Sequence, residues 1–393
     1  MRERGEVGVG MGDNRGVKER LSLTTALQAR VAQAVRQADG WLPFDRFMAM
    51  ALYEPGLGYY ANPSPKFGLW PAAEDSPEGA GSDFVTAPEL TPVFAWTLAR
   101  SVAEALQATG TDEVWEFGAG TGALADQLLI GLQQHGALPR RYTIVDLSGA
   151  LRERQRERLA AWGDRVQWVD RLPEALRGVV VGNEVLDAMP VQLLHRIQGV
   201  WHERGVGLDS QGASVWVDRP TDLRPPCEVT GEHDYLTEIH PQAEAFVRTL
   251  AEGWTAGAGF FFDYGFPESE YYHPERHMGT LIAHCAHLSD DDVLAEVGLK
   301  DITAHVNFTS VALAAQDAGL VVVGYTSQGR FLINAGLAEV AQGLDDRARV
   351  ALQPLIHEHE MGELFKVIAL APQTSAEAWT PSGFAVGDRS HRL

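Results

Sequence analysis

Three observations predict an α/β fold, a largely parallel sheet with helices on both faces. Between residues 113 and 183, four short apolar runs alternate with helical patterns, as in successive βαβ units. The first run, with Val114, Trp115 and Phe117, passes straight into Gly118-Ala119-Gly120-Thr121-Gly122, and a helical pattern starts at Ala123 with Leu124, Leu128 and Leu129 on one face. Glycines at alternate positions let a backbone turn tightly and let a ligand approach without a Cβ in the way. The third observation is that strands end in acids or amides: Glu116, Asp146, and the segment Asn183-Glu184-Val185-Leu186-Asp187. In open α/β sheets such ends meet in one crevice.

The elements follow in order. A glycine-rich stretch of mixed charge, residues 1–20, reads as a disordered lead-in without the apolar segment of a secretory signal. Leu27, Val31 and Val35 form one helical stripe within residues 23–38, and residues 44–52 are a second apolar stretch. Tyr53-Glu54-Pro55-Gly56-Leu57-Gly58-Tyr59-Tyr60 is a turn flanked by aromatics, and residues 61–82 form a Pro/Gly/Ser/Ala loop. Thr86, Pro88 and Glu89 predict a capped start, with a capping box, for a helix over 90–108. Strands are expected at 142–146, 166–169 and 179–183 after the first. Residues 192–198, 200–206 and 213–217 read as antiparallel strands inserted, at about 191–240, between the fourth and fifth core strands. A helix over 241–252, a fifth strand at 259–263, a helix over 308–318, a sixth strand at 320–325 and a last at 364–370 complete seven strands. The tail after Pro372 is expected to be loose. The boundaries are thus a lead-in over 1–20, an N-terminal helical segment over 21–110, a core over 111–370 and a tail over 371–393.

Composition narrows the function. With 393 residues, 45% of them apolar, the chain can bury a large core in one domain or two. A net charge of −21 excludes non-specific nucleic-acid binding, which needs a basic footprint. The arginines from Arg152 to Arg158 alternate with Glu153 and Glu157 and read as a solvated, salt-bridged helix face. Two cysteines, Cys227 and Cys285, argue against a disulfide scaffold. No apolar run has membrane-spanning length. A cytoplasmic enzyme is expected, and the composition admits a homodimer.

The glycine turn fits an adenosine-containing cofactor, and Glu116 decides between two. A carboxylate beside the turn repels a diphosphate. It suits S-adenosylmethionine, which carries an ammonium and a sulfonium and no phosphate. Asp146 faces a ribose or caps the helix near Ser148. Asp170 faces an adenine amino group or begins a turn. The cofactor set is therefore Glu116, Gly118, Ala119, Gly120, Gly122, Asp146, Leu147, Asp170 and Asn183, covered by Thr86, Pro88 and Glu89. Glu184 and Asp187, with Asn183 beside them, are the candidate catalytic residues, because paired carboxylates hold a planar guanidinium and leave one of its nitrogens free. Asn183 and Asp187 also suit fixing the turn. Tyr264 touches substrate or packs beneath the loop; His305 accepts a proton or is structural. His273, His277, His284, Cys285 and His287 lack a standard zinc spacing, and no metal is expected. The rivals are a nicotinamide-dependent oxidoreductase and an assembly factor that keeps the fold without turnover.

Several separated motifs resemble the MidA-like family of S-adenosylmethionine-dependent methyltransferases over about residues 42–370. They are ALYEPGLGYY from Ala51, DFVTAPELTP from Asp83, EFGAGTGALA from Glu116, NEVLDAMPV from Asn183, FDYGF from Phe262, GTL from Gly279, DITAHVNFT from Asp301 and TSQGRFL from Thr326. The resemblance implies a class I methyltransferase (Rossmann-like) fold with Gly118, Gly120 and Gly122 at the methyl donor. For mitochondrial members, which assist assembly of respiratory complex I, it further implies arginine methylation of a complex I subunit; membership does not fix the acceptor of this chain, and a protein side chain, arginine favoured, is expected. Asp146 departs from the family, which usually carries Glu there.

Overall fold

A computed structural model of the chain describes residues 14–62, 86–146, 148–285, 288–377 and 379–393. The lead-in up to residue 13 and most of the 61–82 loop lie outside them. Helix α1, Asn14–Gln37, begins inside the stretch read as lead-in, and α2 spans Phe44–Tyr53. The stripe of Leu27, Val31 and Val35 packs with Phe44, Phe47 and Met48 against Leu193 and Val206.

The predicted single helix over 90–108 is two: α3, Ala87–Leu90, and α4, Val93–Thr109. Thr91 stands extended between them, as expected of a residue before Pro92. The expected capping box does not form. Thr86 makes no side-chain cap bond, and Glu89 accepts instead from the hydroxyl of Thr121 in the glycine turn.

The core strands are β1 (Glu113–Phe117), β2 (Arg141–Val145), β3 (Val166–Val169), β4 (Val179–Asn183), β5 (Gly259–Phe266), β6 (Leu320–Ser327) and β7 (Phe365–Pro372). Their spatial order is β6-β7-β5-β4-β1-β2-β3, with β7 antiparallel to its neighbours and the others parallel. A two-residue strand, Val306–Asn307, pairs with the end of β5 and makes an eighth. Alternation along β5 sorts the core: Phe260 and Phe262 face the layer of α4 and of α5 (Ala123–Gln134). Phe261 faces α7 (Pro241–Gly253) and α8 (Phe308–Asp317). The strand order reverses between β1 and β4, and a crevice opens above their carboxyl ends.

The inserted sheet has five antiparallel strands rather than three. Gln192–Ile197, Val200–Leu208 and Ser214–Pro220 are joined by Tyr235–Ile239 and by Leu42–Pro43 from the N-terminal segment. A small sheet of Ile282–Cys285, Leu288–Asp290 and Asp301–Thr303 was not foreseen, because its strands are too short to show a period. The tail is also not loose. Phe384 is buried on Gly324, where a Cβ would lie 2.2 Å from its ring, and Asp388 accepts the backbone N–H of Tyr325 at 3.0 Å. Among the described residues no helix is long and apolar enough to cross a membrane.

The packing of Phe384 sets a test. Phe384→Ala is expected to cost about 3 kcal/mol of unfolding free energy in denaturant titration, whereas a loose tail leaves the midpoint unchanged.

Candidate active site

The loop between β1 and α5 has its shape because three residues take positive φ: Gly118 at 64°, Gly120 at 53° and Gly122 at 82°. A Cβ on Gly118 would lie 2.9 Å from Cγ2 of Val185, so the turn also admits the neighbouring loop. Glu116, on β1, is buried and accepts the Tyr142 hydroxyl at 2.6 Å. Burial pushes its carboxyl up to about 8; the Tyr142 bond pulls it back and Asp146 adds repulsion.

Asp146 closes the next strand end. Its Oδ1 accepts the Ser148 N–H at 2.8 Å and its Oδ2 accepts the Gln155 amide at 2.8 Å. Ser148 itself caps α6 (Gly149–Arg158), so Asp146 braces the turn before the helix and faces the cavity. Leu147 lies outside the described residues. Asp170 is 73% exposed, paired loosely with Arg171 at 4.0 Å, and is not brought to the cavity wall.

Asn183 ends β4 and donates to Glu184 at 2.8 Å. Glu184 sits in the left-handed region at φ 55° with its N–H on the Phe262 carbonyl, a conformation that costs a non-glycine residue about 1 kcal/mol. The loop is held from beneath by Asp263, whose Oδ2 accepts the N–H groups of Val185, Leu186 and Asp187 at 3.2, 2.9 and 3.3 Å. Burial, then the Asp187 and Asp301 charges, push Glu184 well above the carboxylate range, against the Asn183 and Ala87 bonds. Burial pushes Asp187 up to about 6, offset by the Tyr264 hydroxyl, which donates to it at 2.6 Å.

Glu116, Gly118, Gly120, Asp146, Asn183, Glu184 and Asp187 line one cavity of about 700 Å³, together with Ala119, Thr86, Pro88 and Glu89, whereas Gly122 lies behind its wall against Gln155 and Leu159. Its wall carries Glu89, Glu116, Asp146, Glu184, Asp187 and Asp301, and no lysine or arginine among the described residues. Two buried acceptors in it, Asn183 Oδ1 and Asp187 Oδ1, have no hydrogen-bond partner among the described residues. Buried oxygens of this kind call for a donor, and a wall of carboxylates calls for a cationic one. S-adenosylmethionine fits: Gly118 to Gly122, Glu116 and Asp146 are the residues that would hold it.

The structure adds residues that strand-end reasoning did not reach. Tyr53 and Tyr60 stack with ring centroids 5.6 Å apart. Tyr53 donates to the Ala188 carbonyl at 2.8 Å and Tyr60 to Asp301 at 2.8 Å. Both belong to the aromatic turn, whose repeated tyrosines were the available signal. Tyr264 lines the cavity, and His305 lies behind it, its ring 5.0 Å away, held down to about 4 by burial and by Arg276 and Lys366. Nor are the arginines of α6 simply solvated. Arg152 donates to the Val169 carbonyl at 2.6 Å, and Arg158 bonds Thr121. His287 lies outside the described residues; among those described, no group of three His, Cys, Asp or Glu side chains is placed to hold a metal ion.

Comparison with known proteins identifies the family and its cofactor. A family model described as S-adenosyl-L-methionine-dependent methyltransferase matches residues 97–326. A solved structure from Burkholderia thailandensis, bound to S-adenosyl-homocysteine, is 47% identical with a TM-score of 0.89, covering 99% of this chain and 100% of that one. A protein arginine methyltransferase NDUFAF7 homolog of Caenorhabditis elegans is 26% identical, over 86% of this chain and 84% of that protein. The human protein arginine methyltransferase NDUFAF7 is 24% identical, over 86% of this chain and 81% of that protein. Neither the oxidoreductase nor the turnover-free assembly factor is favoured beside these matches. The cytoplasmic expectation is corrected: both curated relatives are mitochondrial proteins.

The buried acids set a pH dependence. Glu116 and Glu184 titrate higher in the folded protein than their ordinary value near 4.5, so the folded state binds more protons and stability falls as pH rises. His240 and His305, held down to about 3 and about 4, oppose this only below about 6.5, where the unfolded imidazole charges. Between pH 6.5 and 8 the melting temperature of the ligand-free protein is therefore expected to fall, and the rise produced by S-adenosylmethionine to grow. Scanning fluorimetry across that window checks both; a flat or rising ligand-free curve contradicts them.

Proposed function

This chain belongs to the MidA-like family of S-adenosyl-L-methionine-dependent methyltransferases, and from that premise we propose that its methyl acceptor is a protein side chain, with arginine favoured. The observation that carries the proposal is the pair of unpartnered buried acceptors, Asn183 Oδ1 and Asp187 Oδ1, on a loop beside Glu184. A guanidinium brings donors in a planar fork, and the facing tyrosines Tyr53, Tyr60 and Tyr264 offer ring faces for such a cation. The arginine methyltransferase names of the curated relatives support the same acceptor, and an acceptor within a respiratory complex, as the family resemblance implies, is part of this reading.

The methyl donor supplies an activated methyl carbon at its sulfonium. Glu184 and Asp187 hold the guanidinium by charge-assisted bonds and draw its positive charge to the nitrogens they touch. The remaining nitrogen keeps more of its electron pair and points along the line of transfer. Glu184, whose carboxyl burial makes basic, takes a proton from the guanidinium nitrogen it touches as the remaining nitrogen gains the methyl group, so the methylated product keeps a single positive charge. Asp187 holds the cation with the Tyr264 hydroxyl fixing its orientation. Glu116, Gly118, Ala119, Gly120, Gly122, Asp146 and Asn183 form the donor side, covered by Thr86, Pro88 and Glu89. In this reading β1 to β7 are the seven-stranded class I sheet, and the segments 21–110 and 191–240 are additions that shape the acceptor's approach.

Incubation with S-adenosylmethionine and arginine-containing proteins, followed by mass spectrometry, is expected to place methyl groups on guanidino nitrogens. Glu184→Gln is expected to lower kcat about 10²- to 10⁴-fold while S-adenosyl-homocysteine affinity stays within about threefold. Methylation confined to other side chains, or undiminished kcat in the variant, overturns the proposal.

A further inference from the structure

Gln155 stands on α6, fully buried, and its amide touches three consecutive strand-end segments. Its Nε2 donates to the Gly120 carbonyl at 2.9 Å and to Asp146 Oδ2 at 2.8 Å, and its Oε1 accepts the Trp168 indole N–H at 2.9 Å. The amide can point only one way. An indole nitrogen is a donor and never an acceptor, so Trp168 claims the oxygen and the NH₂ group must face the glycine turn and the carboxylate. Both Gln155 protons then have anionic or carbonyl acceptors. Gly122 adds steric fit: a Cβ there would sit 3.5 Å from Gln155 Cγ, so α6 packs directly under the turn.

We infer that Gln155 is a positioning residue for the methyl donor, locking the glycine turn and Asp146 at one separation so that a single nucleoside can meet both. With the Gly120 carbonyl turned toward Gln155, that carbonyl is kept occupied within the protein. With Oδ1 of Asp146 engaged by Ser148 and Oδ2 by Gln155, the carboxylate plane is fixed. Arg158 of the same helix bonds Thr121, so α6 grips the turn at a second point. This inference rests on the reading that Gly120 and Asp146 lie on the donor side.

The full chain tests it by calorimetric titration with S-adenosyl-homocysteine and by steady-state kinetics. Gln155→Leu removes all three bonds, and Gln155→Glu keeps an acceptor for Trp168 but sets a carboxylate against Asp146. Both are expected to weaken S-adenosyl-homocysteine binding about 10- to 100-fold and to raise KM for S-adenosylmethionine while kcat at saturation stays within about threefold. Gln155→Asn shortens the amide by one methylene and is expected to weaken binding. Wild-type affinity in these variants, or a fall in kcat with KM unchanged, overturns the inference. Gln155→Glu, which keeps the length and shape of the side chain, decides the matter if Gln155→Leu does not fold. A wild-type chain that does not bind S-adenosyl-homocysteine sinks the donor-side reading itself, which is a different failure.

Discussion

Carboxylates taken out of water repel one another and resist ionisation unless a cation joins them. The strand ends of this protein gather Glu116, Asp146, Glu184 and Asp187 around one cavity, with Asp301 opposite, and no lysine or arginine is on its wall among the described residues. That unbalanced charge organises the rest. Burial first, and the neighbouring charges after it, raise Glu116 and Glu184, and the same charges make a diphosphate unwelcome beside a glycine turn that otherwise suits one. A sulfonium, an ammonium and a guanidinium each relieve that charge.

Holding such a cavity open needs rigid supports, and the fold provides them from below. Asp263 gathers three N–H groups of the Asn183 loop on one oxygen and so ties the loop to β5 at three points. Phe260 and Phe262 fix β5 in one core layer and Phe261 in the other, so Asp263 cannot slide by one residue without turning all three rings to the wrong face. On the other side, α6 ties the turn to Asp146 through Gln155. The left-handed Glu184 is thus clamped between a fixed strand and a fixed turn, and its local strain is small beside those contacts.

The glycine turn, the strand ends and the Asn183 loop were legible in the sequence, because each is a local pattern: period-two apolar runs, alternating glycines, an acid next in line. Contacts made across long separations were not. Glu89 had the spacing of a capping box, yet it spends its carboxylate on Thr121, thirty-two residues on. Tyr60 meets Asp301 across 241 residues, a pairing no periodicity announces. Gln155 was hidden among arginines and glutamates that advertise a solvated face, although it faces inward. Asp170 followed the rule for strand ends and still turned to solvent, since the rule places the backbone and not the side chain. The tail failed for a further reason: a lone Phe384 with glycines about it gives no period, and only the bare Gly324 across the fold shows where it goes.

The central claim is that the cavity holds its carboxyls partly protonated until a cation arrives. Calorimetric titration with S-adenosylmethionine at pH 7, in two buffers of different ionisation enthalpy, counts the protons that leave on binding. The wild-type protein is expected to release more protons than Glu116→Gln and to bind the donor more tightly. Equal proton counts and equal affinities in the two proteins would contradict it.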